Sequence, residues 1–507
     1  MHRRIIVPSA FAATLLLAIP ASAADYVPGA PGIGDSYYPT SGNGGYDVSH
    51  YDLRLRYQPA TDLLEGTATI LATTTQNLSR FNLDLGLKVS EVRVDGRIAR
   101  FAATGEHELE VTPAVPLAKD KRVTVVVRYA GKPSEFKVGG WSAWHRTPDG
   151  GVAAQEPDAA AWWFPSNDHP RDKATFDVSV QVPNGTQAIS NGVLQSQTSV
   201  AGWTRFNWRS NKPQAPYLAT LAVGKFDITT DRTANGLPVL NAYSKDLGDH
   251  DGAARASIER TAEVAEWLEG VFGPYPFNAL GGYVPNVTSG YALETQTRPF
   301  YSPRQFANGA NVSVVVHELA HQWYGDSVSV RDWKDIWINE GFARYSQWLW
   351  SEKEGEGTAQ ELADYVYAIR TAEDPFWTVR PGDPGPDDQF HIAVYDRGAL
   401  ALQALRNEIG DEDFFAILKG WPQRFAHGNA RVADFVRYAE QVSGKPLAAL
   451  FDTWLYQPVK PAAAPSPAAA SAAAAAPAPA RSAGKPVAPK SWKKIAATNT
   501  VHERDGR

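Results

Sequence analysis

Two periods divide this chain. From Tyr46 to about Ile228, apolar and polar positions mostly alternate. Tyr51, Leu53, Leu55 and Tyr57 are separated by polar residues, as are Phe81, Leu83 and Leu85, and residues 123–127 and 176–182 also read as strands. Successive side chains of a strand point to opposite faces, so this alternation predicts an all-β domain of half-buried strands. Asp95-Gly96 and Asn184-Gly185 supply turns between them. Near Thr229 the spacing changes to three and four. Ile258, Ala262, Ala265 and Leu268 predict a helix over 253–272 that stops at Gly273-Pro274. Helical segments over 312–324, 340–352, 358–370, 395–408 and 433–441 predict a second, mainly helical domain, with a few strands near 237–243.

The ends follow neither period. Residues 1–23 read as a cleavable export signal: Arg3 and Arg4 open it, Phe11 to Ile19 is apolar, and Ala21-Ser22-Ala23 offers a small-residue cleavage site. The apolar stretch is too short to span a bilayer and Pro20 follows it. The expected product is a soluble protein outside the cytoplasm, with general secretion and twin-arginine export both open. Residues 24–45, rich in Gly, Pro and Tyr, read as an extended lead-in. The β domain then spans 46–228 and the helical domain 229–458. Residues 459–507 are Ala/Pro-rich, and their prolines break up the alanines, so a disordered basic tail is expected. Its expected role is to solubilise, with loose attachment to anionic cell-wall polymers as the alternative.

Composition narrows the chemistry. A chain of 507 residues, 43% hydrophobic, is long enough for two or three domains. It has no cysteine, which excludes disulfides and thiolate sites and leaves only nitrogen and oxygen to hold a metal. The formal charge of -6 combines +6 on residues 460–507, +2 on the signal and -14 on the rest. An acidic body argues against a nucleic-acid partner and is compatible with cationic groups such as amines.

One stretch stands apart: "NVSVVVHELAHQWYGDSVSV", 311–330. Residues four apart lie on one helix face, so His317 and His321 can aim two imidazoles at one point, as a zinc ion requires. A catalytic zinc takes three protein ligands. Glu340 of "WINEGFARY", nineteen residues past His321 and opening the next helix, supplies the third. The competing reading has both histidines bonded to backbone and Glu318 in a salt bridge; the added glutamate in an apolar setting favours the metal. Glu318 points about 100° round the helix from His317, so it need not ligate. A carboxylate there can take a proton from water and pass it to a leaving amine.

"HELAHQWYGD" followed at this spacing by "WINEGFA" resembles the gluzincin zinc metallopeptidases of the aminopeptidase N type, which include leukotriene A4 hydrolase. "FGPYPF" at 272–277 and "FPSNDHPRDKATFDVSVQVP" at 164–183 also look like segments of that family. The resemblance implies a multidomain chain: an N-terminal all-β saddle-like domain, then a mainly α, thermolysin-like (α+β) catalytic domain. It implies one zinc per chain and removal of single residues from peptides with a free N-terminus. In "YALETQTRPF", Glu294 matches the glutamate that grips the substrate's α-amine, while Tyr291, Leu293 and Thr295 stand where the family has Gly, Met and Asn. In "AAQEPDAAAWWFP", Glu156 matches a second amine contact, with Gln155 one place off the family's glutamine. In "VYDRGALALQAL", Tyr395 matches the phenol that stabilises the oxyanion. A short form is expected, without the large C-terminal helical domain of many members and with a more open groove. An endopeptidase on the same site, an epoxide hydrolase and a non-enzymatic binding protein are the competing readings.

Overall fold

Alternation in the first half becomes one large sheet. The computed structural model describes residues 25–138, 140–287, 289–465 and 486–498. The expected export signal and tail residues 466–485 and 499–507 lie outside the described residues. Eight strands run in the order Val193–Val200, Trp203–Gln214, Ala174–Pro183, Tyr46–Gln58, Leu63–Thr74, Arg122–Gly131, Lys88–Val94 and Arg97–Ile98. Neighbours are antiparallel except Ala174–Pro183, which runs parallel to Tyr46–Gln58 with Val178 beside Leu53 and Val180 beside Leu55. Two four-stranded sheets share its core: Tyr51, Leu53 and Leu55 from the large sheet cluster with Phe81 and Leu109 of one and Val152 and Leu221 of the other.

A five-stranded mixed sheet begins the second half, ordered Phe226–Arg232, Pro238–Ser244, Leu280–Val284, Phe300–Tyr301 and Ala292–Leu293. Its first strand starts before Thr229, so the change of period falls inside an element. Tyr283, Leu293 and Phe300 join the core of the β half, whereas Leu280, Val284, Ala292 and Tyr301 join the helical core. The two faces of this sheet therefore weld the halves together.

Several helices depart from their predicted spans. The segment over 253–272 is two helices, Asp251–Ile258 and Thr261–Phe272, and Thr261 Oγ1 caps the break by donating to the Ile258 carbonyl at 2.6 Å. The segment over 312–324 is helical only over Val312–Ala320. Beyond it the chain tightens into turns in which the Asp326, Ser327 and Val328 amides donate to the His321, Gln322 and Trp323 carbonyls. Asp411–Arg424 is a further helix, one that the spacing did not reveal, with Pro422 inside it. Proline cannot donate to the carbonyl four residues back; that carbonyl, of Leu418, accepts instead from the Tyr324 hydroxyl at 2.7 Å.

Both ends are more ordered than their composition indicates. Lead-in residue Asp35 accepts from the Trp333 amide at 2.8 Å and from His169 Nε2 at 3.1 Å, and Tyr38 donates to Gln389 Oε1 at 2.7 Å. The expectation of a disordered tail over 459–507 is corrected for residues 459–465, where the Tyr367 hydroxyl donates to the Pro461 carbonyl and Gln360 Nε2 to the Pro465 carbonyl, each at 2.6 Å, and for residues 486–498. Trp492–Ala496 is a helical turn, Ile495 is fully buried in the helical core, and the Trp492 ring meets Tyr365 edge-on at 5.2 Å. Trp492 and Ile495 are three apart, so one face of the turn carries both. Among the described residues, no helix is long and apolar enough to cross a membrane.

Candidate active site

Helix Val312–Ala320 starts at an Asn311 cap, whose side chain accepts from the Ser313 amide at 3.1 Å. Its apolar positions Val314, Val315, Val316 and Leu319 are wholly buried, which forces His317 and Glu318 inward as well. Helix Trp337–Glu354 packs beside it and carries Glu340 in its first turn. The three expected ligands meet there. Glu340 Oε2 lies 3.2 Å from His317 Nε2 and 3.4 Å from His321 Nε2, and one donor atom of each residue is within 4.8 Å of the others. Ligands about 2.0–2.1 Å from a tetrahedral zinc stand about 3.3–3.4 Å apart, so the donor spacing fits that ion. His321 Nδ1 faces the Tyr324 carbonyl at 3.0 Å. That carbonyl selects the tautomer with Nδ1 protonated and leaves Nε2 free to ligate.

The electrostatics agree. Burial lowers the His317 pKa to about 4, which keeps the ring neutral. At His321 burial acts in the same direction, but the charges of Glu340, Glu294 and Glu318 overcome it and raise the ring to about 10, so a cation binding there displaces the Nε2 proton. Glu318 is 2% exposed, and its Oε1 has no hydrogen-bond partner. Burial raises its carboxyl well above the ordinary range, as does the charge of Glu294, against a pull downward from His321. A surplus of buried carboxylates around two imidazoles is the environment a divalent cation neutralises.

Glu294 follows the edge strand Ala292–Leu293 and is buried, with its Oε1 accepting from the Tyr217 hydroxyl at 2.9 Å. Gln322 fixes this loop to the histidine segment: its Nε2 donates to the Glu294 carbonyl at 3.0 Å and its Oε1 accepts from the Thr297 amide at 2.7 Å. Glu156 is 3% exposed, with Oε1 lacking a hydrogen-bond partner. Burial raises its carboxyl well above the usual range, and the charges of Glu294, Glu340 and Glu318 add to that rise. Glu156 thus reaches the same cluster from the β half. Tyr395 lies in helix Ile392–Ile409 with its ring stacked 6.0 Å from that of His317.

The structure therefore brings the three ligands together with Tyr395 beside them, and the charges of Glu156, Glu294 and Glu318 act on the same cluster. It adds others the spacing did not mark. Tyr291, where the family pattern has glycine, sends its hydroxyl to Gln155 Oε1 at 2.8 Å and the Ala154 carbonyl at 2.9 Å, tying the Glu294 loop to the Glu156 strand end. Arg344, one turn after Glu340 and 0% exposed, pairs with Asp396 at 3.1 Å, and its guanidinium sits 5.7 Å from the Tyr395 ring centre. One signal could have found Arg344, its position four residues after Glu340 on the same helix face. Tyr217 had no local signal.

Comparison with known proteins agrees along the chain. The model of the peptidase family M1 domain matches residues 298–454, and that of the peptidase M1 N-terminal domain matches 48–218. Glutamyl aminopeptidase of Bos taurus is 27% identical over 451 residues, covering 80% of this chain and 46% of that one. The chain spans about half the length of the curated relatives it matches. The crystal structure of the M1 zinc metallopeptidase from Deinococcus radiodurans is similar at TM-score 0.74 and 30% identity, covering 83% of this chain and 96% of that one. A mutant of that metallopeptidase bound to a Tyr-Ser-Ala substrate gives TM-score 0.76 at 29% identity, covering 86% of this chain and 100% of that one.

Proposed function

The chain belongs to the peptidase M1 family, and from that premise we propose that it is a zinc aminopeptidase removing single N-terminal residues from peptides. His317, His321 and Glu340 would hold the ion. Zinc supplies Lewis acidity, polarising a carbonyl and lowering the pKa of water from about 15.7 towards about 7. Glu318 is the general base, taking a proton from water and returning it to the leaving amine. Its buried, unpartnered oxygen supports that role. Tyr395, stacked against His317, is the phenol that donates to the developing oxyanion.

The observation that carries the reading is the convergence of Glu294 and Glu156 on the metal cluster. Each raises its proton affinity through burial, and for Glu156 the next cause is the charge of Glu294. An α-ammonium placed between them relieves that repulsion and fixes the first peptide bond of the substrate at the zinc ligands. A blocked terminus brings no charge and leaves the carboxylates unpaired, so it is rejected. The Tyr-Ser-Ala substrate bound by a mutant of the Deinococcus relative supports short peptides as the substrate class. The basic, apolar and small-residue order of residues 1–23 supports export and action outside the cytoplasm, and the basic residues after 459 support at most a weak association with anionic wall polymers.

The test is release of a chromogenic amine from unblocked and N-acetylated Ala, Leu and Arg anilides. Only the unblocked series should turn over, and a chelator should abolish the activity. Equal rates on both series sink the amine-anchor role. Digestion of N-blocked casein fragments that is indifferent to Glu294→Ala favours an endopeptidase instead.

A further inference from the structure

Strands Leu78–Asp84 and Glu108–Thr112 pair antiparallel, and their register sets Asp84 directly opposite Glu108. Like charges opposite each other weaken a ladder. Both side chains are buried, at 0% and 8% exposure. Among the described residues, the one basic side chain in ion-pair reach of either is His107, whose Nε2 lies 3.6 Å from Asp84 Oδ1.

The fold uses only half of this carboxylate capacity. Asp84 Oδ2 accepts from Asn43 Nδ2 at 3.0 Å and from the Asp168 amide at 2.7 Å, and Glu108 Oε2 accepts from Asn82 Nδ2 at 3.0 Å. Asp84 Oδ1 and Glu108 Oε1 have no hydrogen-bond partner. One donor atom from each of Asp84, His107 and Glu108 lies within 4.8 Å of the other two. A donor triangle with 3.6 Å edges has its centre about 2.1 Å from each corner, and one with 4.8 Å edges about 2.8 Å, which brackets the bond lengths of divalent cations to nitrogen and oxygen. The Thr40 carbonyl, 3.2 Å from His107 Nε2, is a fourth donor and the third oxygen, at ligand-to-ligand distance from a nitrogen whose proton a metal would displace.

We propose that Asp84, His107 and Glu108 form a second metal site, distinct from the catalytic one and structural in role, which takes a divalent first-row ion of the zinc class. An imidazole nitrogen with two carboxylate oxygens suits such ions. The site joins segments far apart in sequence. Asp84 holds both Asn43 of the lead-in and the amide of Asp168, while His107 reaches Thr40. An ion there staples the lead-in and the loop around Asp168 to the strand pair.

The test is elemental analysis after equilibration with zinc and removal of excess. The wild-type chain should carry two ions. The double variant His107→Gln/Glu108→Gln should carry one and keep its anilide hydrolysis, because neither residue lies in the catalytic cluster. The double variant His317→Ala/His321→Ala should also carry one, and its melting temperature should rise on addition of zinc; combining the two pairs should abolish both signals. One ion per wild-type chain overturns the proposal. So does an unchanged count in His107→Gln/Glu108→Gln, and that comparison decides the matter even if the catalytic variant fails to fold.

Discussion

Ile495→Ala should loosen the catalytic centre from behind. Ile495 is fully buried in the helical core although it lies beyond residues 466–485, and its segment feeds hydrogen bonds into the glutamate helix. Arg344 Nη1 donates to the Ile495 carbonyl at 2.9 Å and to Thr498 Oγ1 at 3.2 Å, and Gln347 Nε2 donates to Thr498 Oγ1 at 2.7 Å. Removing a buried isoleucine side chain costs about 2–5 kcal/mol in lost transfer energy and cavity. If the segment then detaches, the loss saturates at its docking free energy, and the buried Arg344 guanidinium loses two acceptors. The expected fall in melting temperature is roughly 4–20 °C at about 2–4 °C per kcal/mol. Arg344 also pairs with Asp396 and lies against the Tyr395 ring, so kcat should fall more than KM rises. Thermal melts, anilide kinetics and limited trypsin digestion at Lys493 and Lys494 read the three effects. A synthetic peptide of residues 486–498 added to a chain ended after Pro465 should restore part of both stability and rate. Wild-type melting and unchanged lysine protection in Ile495→Ala would refute the docking argument.

Other substitutions probe the chemistry and the lead-in. Glu318→Gln should lower kcat by at least about 10²–10⁴ while elemental analysis finds the catalytic metal retained, which separates proton transfer from ligation. Tyr395→Phe should cost about 10²–10³ in kcat with KM little changed, as loss of one oxyanion donor does; an equal rise in KM contradicts a role confined to the transition state. For Asp35, burial opposes ionisation, but bonds from His169 and from the Trp333 and Tyr37 amides hold its pKa at about 2 against an ordinary 3.8. The folded state therefore binds fewer protons between those values. The stabilisation, at most about 2 kcal/mol, is present above pH 3.8 and disappears as pH falls through 2. Urea titrations at pH 5 and pH 3 should show about half of that loss in the wild type and a smaller one in Asp35→Asn.

The chemistry was more legible in the sequence than the architecture around it. His317, His321 and Glu340 are set by helix geometry and one short connection, so local spacing was enough to find them. The strands were legible because one face of each is buried and the other is not. Glu294 and Glu156 were found through resemblance, because a lone glutamate in a loop carries no period. The Tyr291 bridge to Gln155 was invisible locally, since the two are 136 residues apart in the chain. Helix Asp411–Arg424 was hidden because Gly420 and Pro422 read as breakers, and only the Tyr324 hydroxyl from another segment makes the proline acceptable. The packed segment 486–498 was lost in the average of an Ala/Pro-rich stretch, where two large apolar residues three apart carried the whole signal.

The central claim is that His317, His321 and Glu340 share one zinc ion beside an amine-reading pair of carboxylates. Anomalous diffraction at the zinc edge from crystals soaked with a non-hydrolysable dipeptide analogue tests it most directly. The expected map has a peak about 2.0–2.2 Å from His317 Nε2, His321 Nε2 and a Glu340 oxygen, with the ligand's ammonium against Glu294. Absence of a peak between those three side chains, or an ammonium lying away from Glu294, would contradict the account.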